Sequence, residues 1–285
     1  MAFRRKGPVA ENVISAREQT LSGLDAMQRG KWEKAENHFG RAIKACPTDE
    51  RTHHHYAEAL WQRGAIQPAL EHMEEAVKLS AGDAMLLVKL GEMYLNVGEL
   101  NRAYDAAERA LQEDHQLASA WALRGDVLFE QQQLSQALAS YHRALTYRKE
   151  YPQVQLAAAR IYHQLDRPRR TLTTLEALQN QYRLGTEPSE LMVLHGLALK
   201  KLGQYNEAVN SLVAAAKQGQ PTAEILYYLA DAQMLAGDPA NARLTILAAL
   251  EIEPRHLASR QLLERVAKQQ PIIGSQAPLT AAIAN

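Results

Sequence analysis

The stretch GKWEKAENHFGRAI, residues Gly30–Ile43, has an alanine five residues after its opening glycine and a second alanine seven residues later. The same spacing returns in GELNRAYDAAERAL, Gly98–Leu111, and in GDPANARLTILAAL, Gly237–Leu250. A spacing that recurs along a chain is typical of a structural repeat. The sequence is therefore expected to be built from repeats that these glycines mark.

Seven turn positions follow one another at intervals of 34 residues, with one interval of 37. They are Gly30, Gly64, Gly98, Gln132, Asp166, Gly203 and Gly237. Seven residues before each turn lies a small residue: Gly23, Ala57, Gly91, Gly125, Ala159, Gly196 and Ala230. Five residues after the turns lie Ala35, Ala69, Ala103, Ala137, Thr171, Ala208 and Ala242, and seven further Ala42, Ala76, Ala110, Ala144, Leu178, Ala215 and Ala249.

Hydrophobic residues three and four positions apart predict two amphipathic helices of about 12 to 15 residues in each unit. The small residues would let helix axes approach to about 8 to 10 Å, and larger side chains would fill the remaining gaps. The predicted fillers on first helices are Leu60, Tyr94, Leu128, Tyr162 and Leu199. Those on second helices are Phe39, Met73, Tyr141, Leu175, Leu212 and Ile246.

The period, the small columns and segments such as KAENHFGRAI and RAYDAAERAL resemble the tetratricopeptide-repeat family. The resemblance implies an all-α, right-handed superhelix of seven helix-turn-helix units whose first helices line a concave face. The predicted units are residues 16–49, 50–83, 84–117, 118–151, 152–188, 189–222 and 223–256. A basic tail, 1–15, would precede them, and a capping helix, 257–270, and a flexible tail, 271–285, would follow.

Two places depart from the repeat pattern. The fifth unit has Pro168, Thr171 and Leu178 where other units hold a free turn and small residues, so its geometry is the least certain from sequence. In the last helix, Glu264 occupies the small column, where burial against a further helix would be costly. This predicts that the helix has a polar outer side and ends the array, as solenoids require.

Composition excludes several classes of function. The 285 residues carry 32 basic and 32 acidic side chains, so no net charge favours nucleic acid or an anionic membrane. One cysteine, Cys46, allows neither an intramolecular disulfide nor a multi-cysteine zinc site. We find neither an apolar run of about 18 residues nor the apolar core of a secretory signal after the basic start. These observations predict a soluble, cytoplasmic protein without a membrane span.

We find no sequence motif for catalysis, a cofactor or a metal. Gly-rich phosphate loops, HExxH and GxSxG motifs are all missing from the sequence. His53, His54 and His55 are consecutive, and consecutive residues on a helix turn by about 100° each. We therefore expect His53 to pack inward, His54 and His55 to face the concave side, and the three not to converge on one ion. The prediction is a non-enzyme with no cofactor and no metal ligands.

The first helices carry the candidate binding site. One residue after the small column lie Leu24, Glu58, Glu92, Asp126, Arg160, Leu197 and Asp231, on the face expected to be concave. Three residues further lie Met27, Trp61, Leu95, Phe129, His163, Lys200 and Met234, on the same helical face. An acidic column beside an apolar column in units two to four is typical of a surface that binds a Lys- or Arg-bearing, apolar segment.

The predicted groove comprises Glu58, Trp61, Glu92, Leu95, Asp126, Phe129, His54 and Arg160. The alternative is that the acids only keep a helix face hydrated while Trp61 and Phe129 pack against neighbours. Relatives that clamp a chaperone-tail carboxylate use Lys, Asn and further basic residues. Here Thr20, Leu24, Met85 and Lys89 stand at those positions, which disfavours that ligand.

We therefore predict a non-catalytic adaptor or scaffold that binds a protein or peptide partner through an extended or helical segment. Basic runs at 3–6 and 166–170 have no interleaved aromatic residues, so no nucleic-acid partner is expected. The alternative prediction is a regulatory or assembly subunit of an enzyme, or of a secretion or chaperone complex. Homo- or hetero-oligomers remain open, because the repeat fold serves many functions.

Overall fold

The computed structural model describes residues 8–183, 186–218 and 220–269, and every regular element within these ranges is an α-helix. The chain forms two compact units, Met1–Lys149 and Glu150–Asn285. The first contains α1 (Pro8–Gln28), α2 (Trp32–Ala45), α3 (Glu50–Gln62), α4 (Ile66–Leu79), α5 (Ala84–Asn96), α6 (Leu100–Glu113), α7 (Ala118–Glu130) and α8 (Leu134–Tyr147). The second contains α9 (Pro152–Gln164), α10 (Pro168–Gln179), α11 (Ser189–Lys201), α12 (Tyr205–Lys217), α13 (Ala223–Leu235), α14 (Pro239–Ile252) and α15 (Leu257–Gln269).

Helices pack in sequence order within each unit. In the first unit, α1 packs against α2, α3 against α4, α5 against α6 and α7 against α8, and α2, α4 and α6 each also contact the first helix of the next pair. The second unit pairs α9 with α10, α11 with α12 and α13 with α14, and α15 lies against α14. This all-α array of helix pairs confirms the predicted fold class.

The small and alanine columns form the core, as predicted. All seven residues of the small column are buried, and all fourteen residues of the two later columns are at most 1% exposed. The predicted fillers are buried too, from the fully buried Phe39 to Leu199 at 7% exposure. Because nearly every filler lies between two helices, each repeat depends on its neighbour to cover its apolar face.

Glycine in the small column allows a close approach that alanine would block. A Cβ built at Gly125 would lie 2.4 Å from the Tyr141 ring, and one at Gly196 would lie 2.6 Å from Leu212 Cγ. In both pairs the partner follows the glycine by sixteen residues, on the second helix of the same repeat. The glycines thus make room for a large filler at the centre of the helix pair.

All seven predicted turn residues have positive φ, including Gln132 at 60° and Asp166 at 53°. At each turn the next residue's N–H bonds the carbonyl five positions earlier, as in Lys31 to Ala26 at 2.9 Å and Gln133 to Leu128 at 2.8 Å. This is the Schellman ending of an α-helix, which needs a left-handed residue. The turn column is therefore explained by backbone conformation.

The fifth repeat folds like the others despite its unusual sequence. Pro168 opens α10 at a position where a proline is tolerated, because the first N–H groups of a helix have no intrahelical acceptor. Thr171 and Leu178 are fully buried, and the Thr171 hydroxyl donates to the Arg167 carbonyl at 3.2 Å. Helix α10, of 12 residues, thus accommodates Thr171 and Leu178 at positions where most other repeats have alanine.

The N-terminal helix begins earlier than predicted, whereas the C-terminal helix lies where the capping helix was predicted. Helix α1 begins at Pro8, inside the segment 1–15 predicted as a tail, since a proline can occupy the first helical turn. Helix α15 lies at the position of the predicted cap, where Leu262 and Val266 are buried and Glu264 is exposed. The predicted tail 271–285 and the basic run 3–6 lie outside the described residues.

Candidate functional site

Seven of the eight predicted groove residues lie on first helices of the first unit. Helix α3 carries His54, Glu58 and Trp61, α5 carries Glu92 and Leu95, and α7 carries Asp126 and Phe129. Adjacent first helices come close enough for direct side-chain contact, since α1 contacts α3 and α5 contacts α7. We call the surface formed by α1, α3, α5 and α7 the first-helix face.

A recess of about 430 Å³ opens on the first-helix face. Three predicted residues line it, namely Glu58, Trp61 and Glu92. The other lining residues are Met27, Trp32, Gln62, Met73, Lys89, Met93 and Asn96. The recess therefore combines two carboxylates and one ammonium group with tryptophan and methionine side chains, which suits a ligand with both charged and apolar groups.

Glu58 already contacts one ammonium group and two imidazole nitrogens. Lys89 Nζ donates to its Oε1 at 2.9 Å, and His55 Nδ1 lies 3.2 Å from its Oε2. His54 Nε2 lies 3.1 Å from Oε1. The pKa of the Glu58 carboxyl is consequently held well below its usual range, first by His54, then by His55 and, more weakly, by Lys89, against the opposing effect of burial.

The three consecutive histidines separate into two groups. His53 is buried, as expected, with Nε2 3.1 Å from the Pro47 carbonyl oxygen and Nδ1 3.1 Å from His72 Nδ1. The His54 and His55 rings instead stack with centroids 4.8 Å apart and both approach Glu58. His53 thus lies apart from the other two, as expected, and His54 and His55 share Glu58 because it is four residues after His54 and three after His55, and both spacings share one helical face.

Glu92 differs from Glu58 in its surroundings. No ion pair or hydrogen bond to its carboxylate is found among the described residues, although it lines the recess beside Lys89. Loss of hydration raises the pKa of the Glu92 carboxyl, and the nearby Lys89 charge opposes this shift only in part. This carboxylate therefore has more to gain from an added cation than Glu58 has.

The other predicted residues have mixed environments. The Tyr141 hydroxyl donates to Asp126 Oδ1 at 2.7 Å, so this acid is tied to the second helix of its own repeat. Leu95 and Phe129 are half-buried, and Leu95 packs against the core of the first unit. Arg160 lies on α9 in the second unit, where its guanidinium pairs with Glu190, with an Nη2 to Oε2 distance of 2.6 Å.

Sequence reasoning missed the role of Lys89 at this site. Lys89 and Glu58 are 31 residues apart, and Lys200 and Asp231, also 31 apart, bond at 2.7 Å in the second unit. Residues on the first helices of adjacent repeats therefore come into contact when they are 31 residues apart, which is three fewer than the usual repeat length of 34. Opposite charges at this separation are a signal that the sequence alone could have provided.

Comparisons with known proteins agree with this architecture. A family model described as "Tetratricopeptide repeat" matches residues 20–84 and 193–256, and one described as "TPR repeat" matches 125–166. A search of curated protein sequences returns no relative. Among the described residues, no helix combines the length and apolar character needed to cross a membrane.

Solved structures with the same fold share little sequence with this chain. YrrB, described as a TPR protein with an unusual peptide-binding site, is 20% identical, with a TM-score of 0.59 over 70% of this chain and 98% of its own. A tetratricopeptide repeat protein from Parabacteroides merdae ATCC 43184 is 16% identical, with a TM-score of 0.63 over 88% and 98%. PilW, a type IV pilus biogenesis factor, is also 16% identical, with a TM-score of 0.63 over 70% and 92%.

At these identities the likeness concerns the fold alone. The family models, however, match segments in both units, and the turn, small and alanine columns behave in the structure as the repeat requires. The chain belongs to the tetratricopeptide-repeat family.

Proposed function

We propose that this protein is a non-catalytic adaptor whose first-helix face binds a protein partner through an extended or helical segment. The segment would carry Lys or Arg next to apolar side chains. Tetratricopeptide repeats are generally a protein-interaction fold, and YrrB is described as having a peptide-binding site. The observation that supports this ligand best is the recess in which Glu92 lies beside Trp61 and Met27.

The charge preference follows from the difference between the acids. Glu58 and Asp126 each have a donor within 2.9 Å, from Lys89 and Tyr141 respectively. Glu92 is an exposed residue whose carboxylate has lost only part of its hydration, and it has gained no such donor among the described residues. A lysine or arginine of a partner would supply it, and charge-assisted hydrogen bonds of this kind are about twice as strong as neutral ones.

The apolar preference follows from the rest of the recess. Trp61 is half-buried and packs against the core of the first unit, so part of its indole remains available to a ligand. Met27 and Met93 add thioether side chains, which adapt to different apolar shapes. A segment with a cation between apolar side chains would match both parts of the surface.

Two matched sets of peptides test the proposal. The peptides of one set alternate Lys with Leu, and those of the other set carry Glu in place of each Lys. We expect fluorescence anisotropy to detect binding of the lysine set to the full chain, with an affinity that decreases as salt increases. Glu92→Lys should weaken that binding by at least about tenfold, because it replaces attraction with repulsion.

Glu58→Gln is the matched control on the neighbouring helix. Since Glu58 already pairs with Lys89, this change should weaken binding less than Glu92→Gln does. Equal binding of the two peptide sets, or an unchanged affinity in the Glu92→Lys variant, would contradict the proposal. Circular dichroism of each variant confirms that the fold is intact.

The same face would also serve a regulatory or assembly subunit of an enzyme, or of a secretion or chaperone complex. PilW, a biogenesis factor with the same fold, motivates this second candidate. Light scattering together with affinity capture distinguishes the two, because an assembly subunit would co-purify in a stoichiometric complex. A cytoplasmic location, no nucleic-acid partner and no catalytic activity complete the proposal, and cell fractionation tests the first of these.

A further inference from the structure

Three potential metal ligands converge on one face of α3. His54 Nε2 lies 3.1 Å from Glu58 Oε1, and His55 Nδ1 lies 3.2 Å from Glu58 Oε2. One ligand atom from each of the three residues lies within 4.8 Å of the others. Ligand atoms around a tetrahedral zinc ion are about 3.3 Å apart, given zinc–nitrogen distances of about 2.0–2.1 Å. Small side-chain rotations would therefore bring all three within reach of one ion.

We propose that His54, His55 and Glu58 bind a divalent zinc ion, with a fourth coordination position left for water or a partner's side chain. Two imidazoles and one carboxylate form a donor set that zinc accepts in proteins, and three protein ligands with one open position are usual at zinc sites that are not closed structural ones. The binding-face proposal above does not depend on this site.

An orphaned nitrogen supports the site independently of the cluster's composition. His54 Nε2 is buried, and its 3.1 Å contact with Glu58 Oε1 lacks hydrogen-bond geometry, so the nitrogen has no hydrogen-bond partner among the described residues. Buried polar atoms without a partner are uncommon in folded proteins, and each one calls for an explanation. A coordinated cation would satisfy this nitrogen.

The ligands are both accessible and oriented. The side chains of His54, His55 and Glu58 are 17%, 27% and 31% exposed, so a small rotation of the His54 ring would open its buried Nε2 to an ion from solvent. The His55 ring stacks with His54, at 4.8 Å between centroids, and with the buried Phe39, at 6.3 Å. These two ring contacts limit the orientations of the His55 ring and lower the ordering cost of coordination.

Lys89 is the competitor for this site. Its Nζ donates to Glu58 Oε1 at 2.9 Å, on the same oxygen that His54 approaches. The ammonium group occupies a metal-binding oxygen and repels a dication, so zinc must displace it. Removing the charge of Lys89 should consequently strengthen zinc binding, whereas removal of any ligand should weaken it.

Calorimetric titration of the full chain with zinc chloride tests the proposal, with cobalt(II) absorption as a second readout of coordination geometry. We expect one zinc per chain and an affinity at least about tenfold lower in Glu58→Gln and in His54→Asn. Lys89→Gln should bind zinc severalfold more tightly than the wild type. His163→Asn, on α9 of the second unit, is the matched control and should bind as the wild type does.

Three outcomes would overturn the site. The first is that the wild type binds no zinc. The second is that the affinity for zinc is unchanged when His54→Asn and His55→Asn are combined. The third is that His72→Asn loses zinc binding while Glu58→Gln retains it. The last result would move the ion to His53 and His72, whose Nδ1 atoms lie 3.1 Å apart. If one of the ligand variants fails to fold, Lys89→Gln still tests the site. This substitution leaves all three ligands in place, and it should increase the affinity for zinc.

Discussion

Lys89 Nζ donates to Glu58 Oε1 at 2.9 Å, and the two residues lie on the first helices of adjacent repeats, 31 residues apart. The contact neutralises one acid of a column that appears uniform in sequence. Glu92, one repeat later in the same column, has its pKa raised by lost hydration instead. Equivalent positions of a repeat can therefore present different charge to a partner.

The raised pKa of Glu92 predicts how peptide binding depends on pH. A bound lysine stabilises the charged carboxylate, so protonation of Glu92 competes with the peptide. Affinity for the lysine-bearing peptides should therefore fall as the pH drops through the raised pKa of Glu92, above the ordinary value of about 4.3. Glu92→Gln should bind more weakly and lose this part of the pH dependence. Anisotropy titrations across this range would contradict the prediction if both proteins gave the same profile.

Gly125→Ala should destabilise the first unit by about 1–3 kcal/mol, the usual cost of overpacking a core. The added Cβ would lie 2.4 Å from the Tyr141 ring, which is 1% exposed and cannot move without losing contacts. Denaturant midpoints measure the change. Gly40→Ala is the control, because only the Tyr56 hydroxyl lies within 4 Å, at 3.9 Å. This helix-interior change should be neutral or stabilising by about 0.5–1 kcal/mol. Equal midpoints for the two variants would refute the close approach.

Gln132→Gly should stabilise the protein by up to about 1 kcal/mol. Gln132 has a φ of 60°, where a side chain costs about 1–2 kcal/mol, while a glycine pays a larger entropy cost on folding. The reverse change, Gly98→Ala at a φ of 79°, should destabilise by a similar amount, because a Cβ there meets no atom within 4 Å and only the backbone is strained. Thermal unfolding of both variants should shift in opposite directions, and a shift in the same direction would contradict the argument.

Stability should decrease as the pH falls below about 6.5, the ordinary pKa of histidine. Burial lowers the pKa values of His72, His163 and His195, so the unfolded chain binds protons at a pH where the native histidines remain neutral. Protonation of the unfolded state then reduces the free energy of unfolding until the pH passes the native values.

His195→Asn isolates one part of this pH dependence. His195 Nδ1 lies 2.9 Å from the Ser211 hydroxyl, and an asparagine amide can make a similar contact without titrating. The variant should lose less stability than the wild type between about pH 7.5 and about pH 5.5. His115→Asn, at an exposed position, should follow the wild type. Identical losses in His195→Asn and the wild type would show that burial of this imidazole does not matter.

Local features of this fold were predictable from sequence. The turn column was predicted from spacing, and even Gln132 and Asp166, which are not glycines, have positive φ. The small column was predicted to be buried, and Ala57, Ala159 and Ala230 are fully so. The turn conformation and the burial of the small column depend on the backbone and on contacts between neighbouring helices. Every repeat has the same backbone and the same contacts, so the sequence spacing reveals them. The start of α1 at Pro8 was missed because its residues lie outside the periodic pattern.

The chemistry of the candidate site was predictable only in part. Spacing placed Glu58, Glu92 and Asp126 in one column but could not rank them, because their differences arise from Lys89, Tyr141 and lost hydration. The convergence of His54 and His55 on Glu58 was not predicted, although spacings of four and three residues place the three side chains on one helical face, and the ring contact between His55 and Phe39 required the packed helices.

Residue periodicity alone was thus sufficient for the helix pairs, their turns and their core, since these repeat with the backbone. The charge state and accessibility of each groove side chain required the packed helices, because electrostatic and solvation energies depend on distances between side chains that lie far apart in the chain.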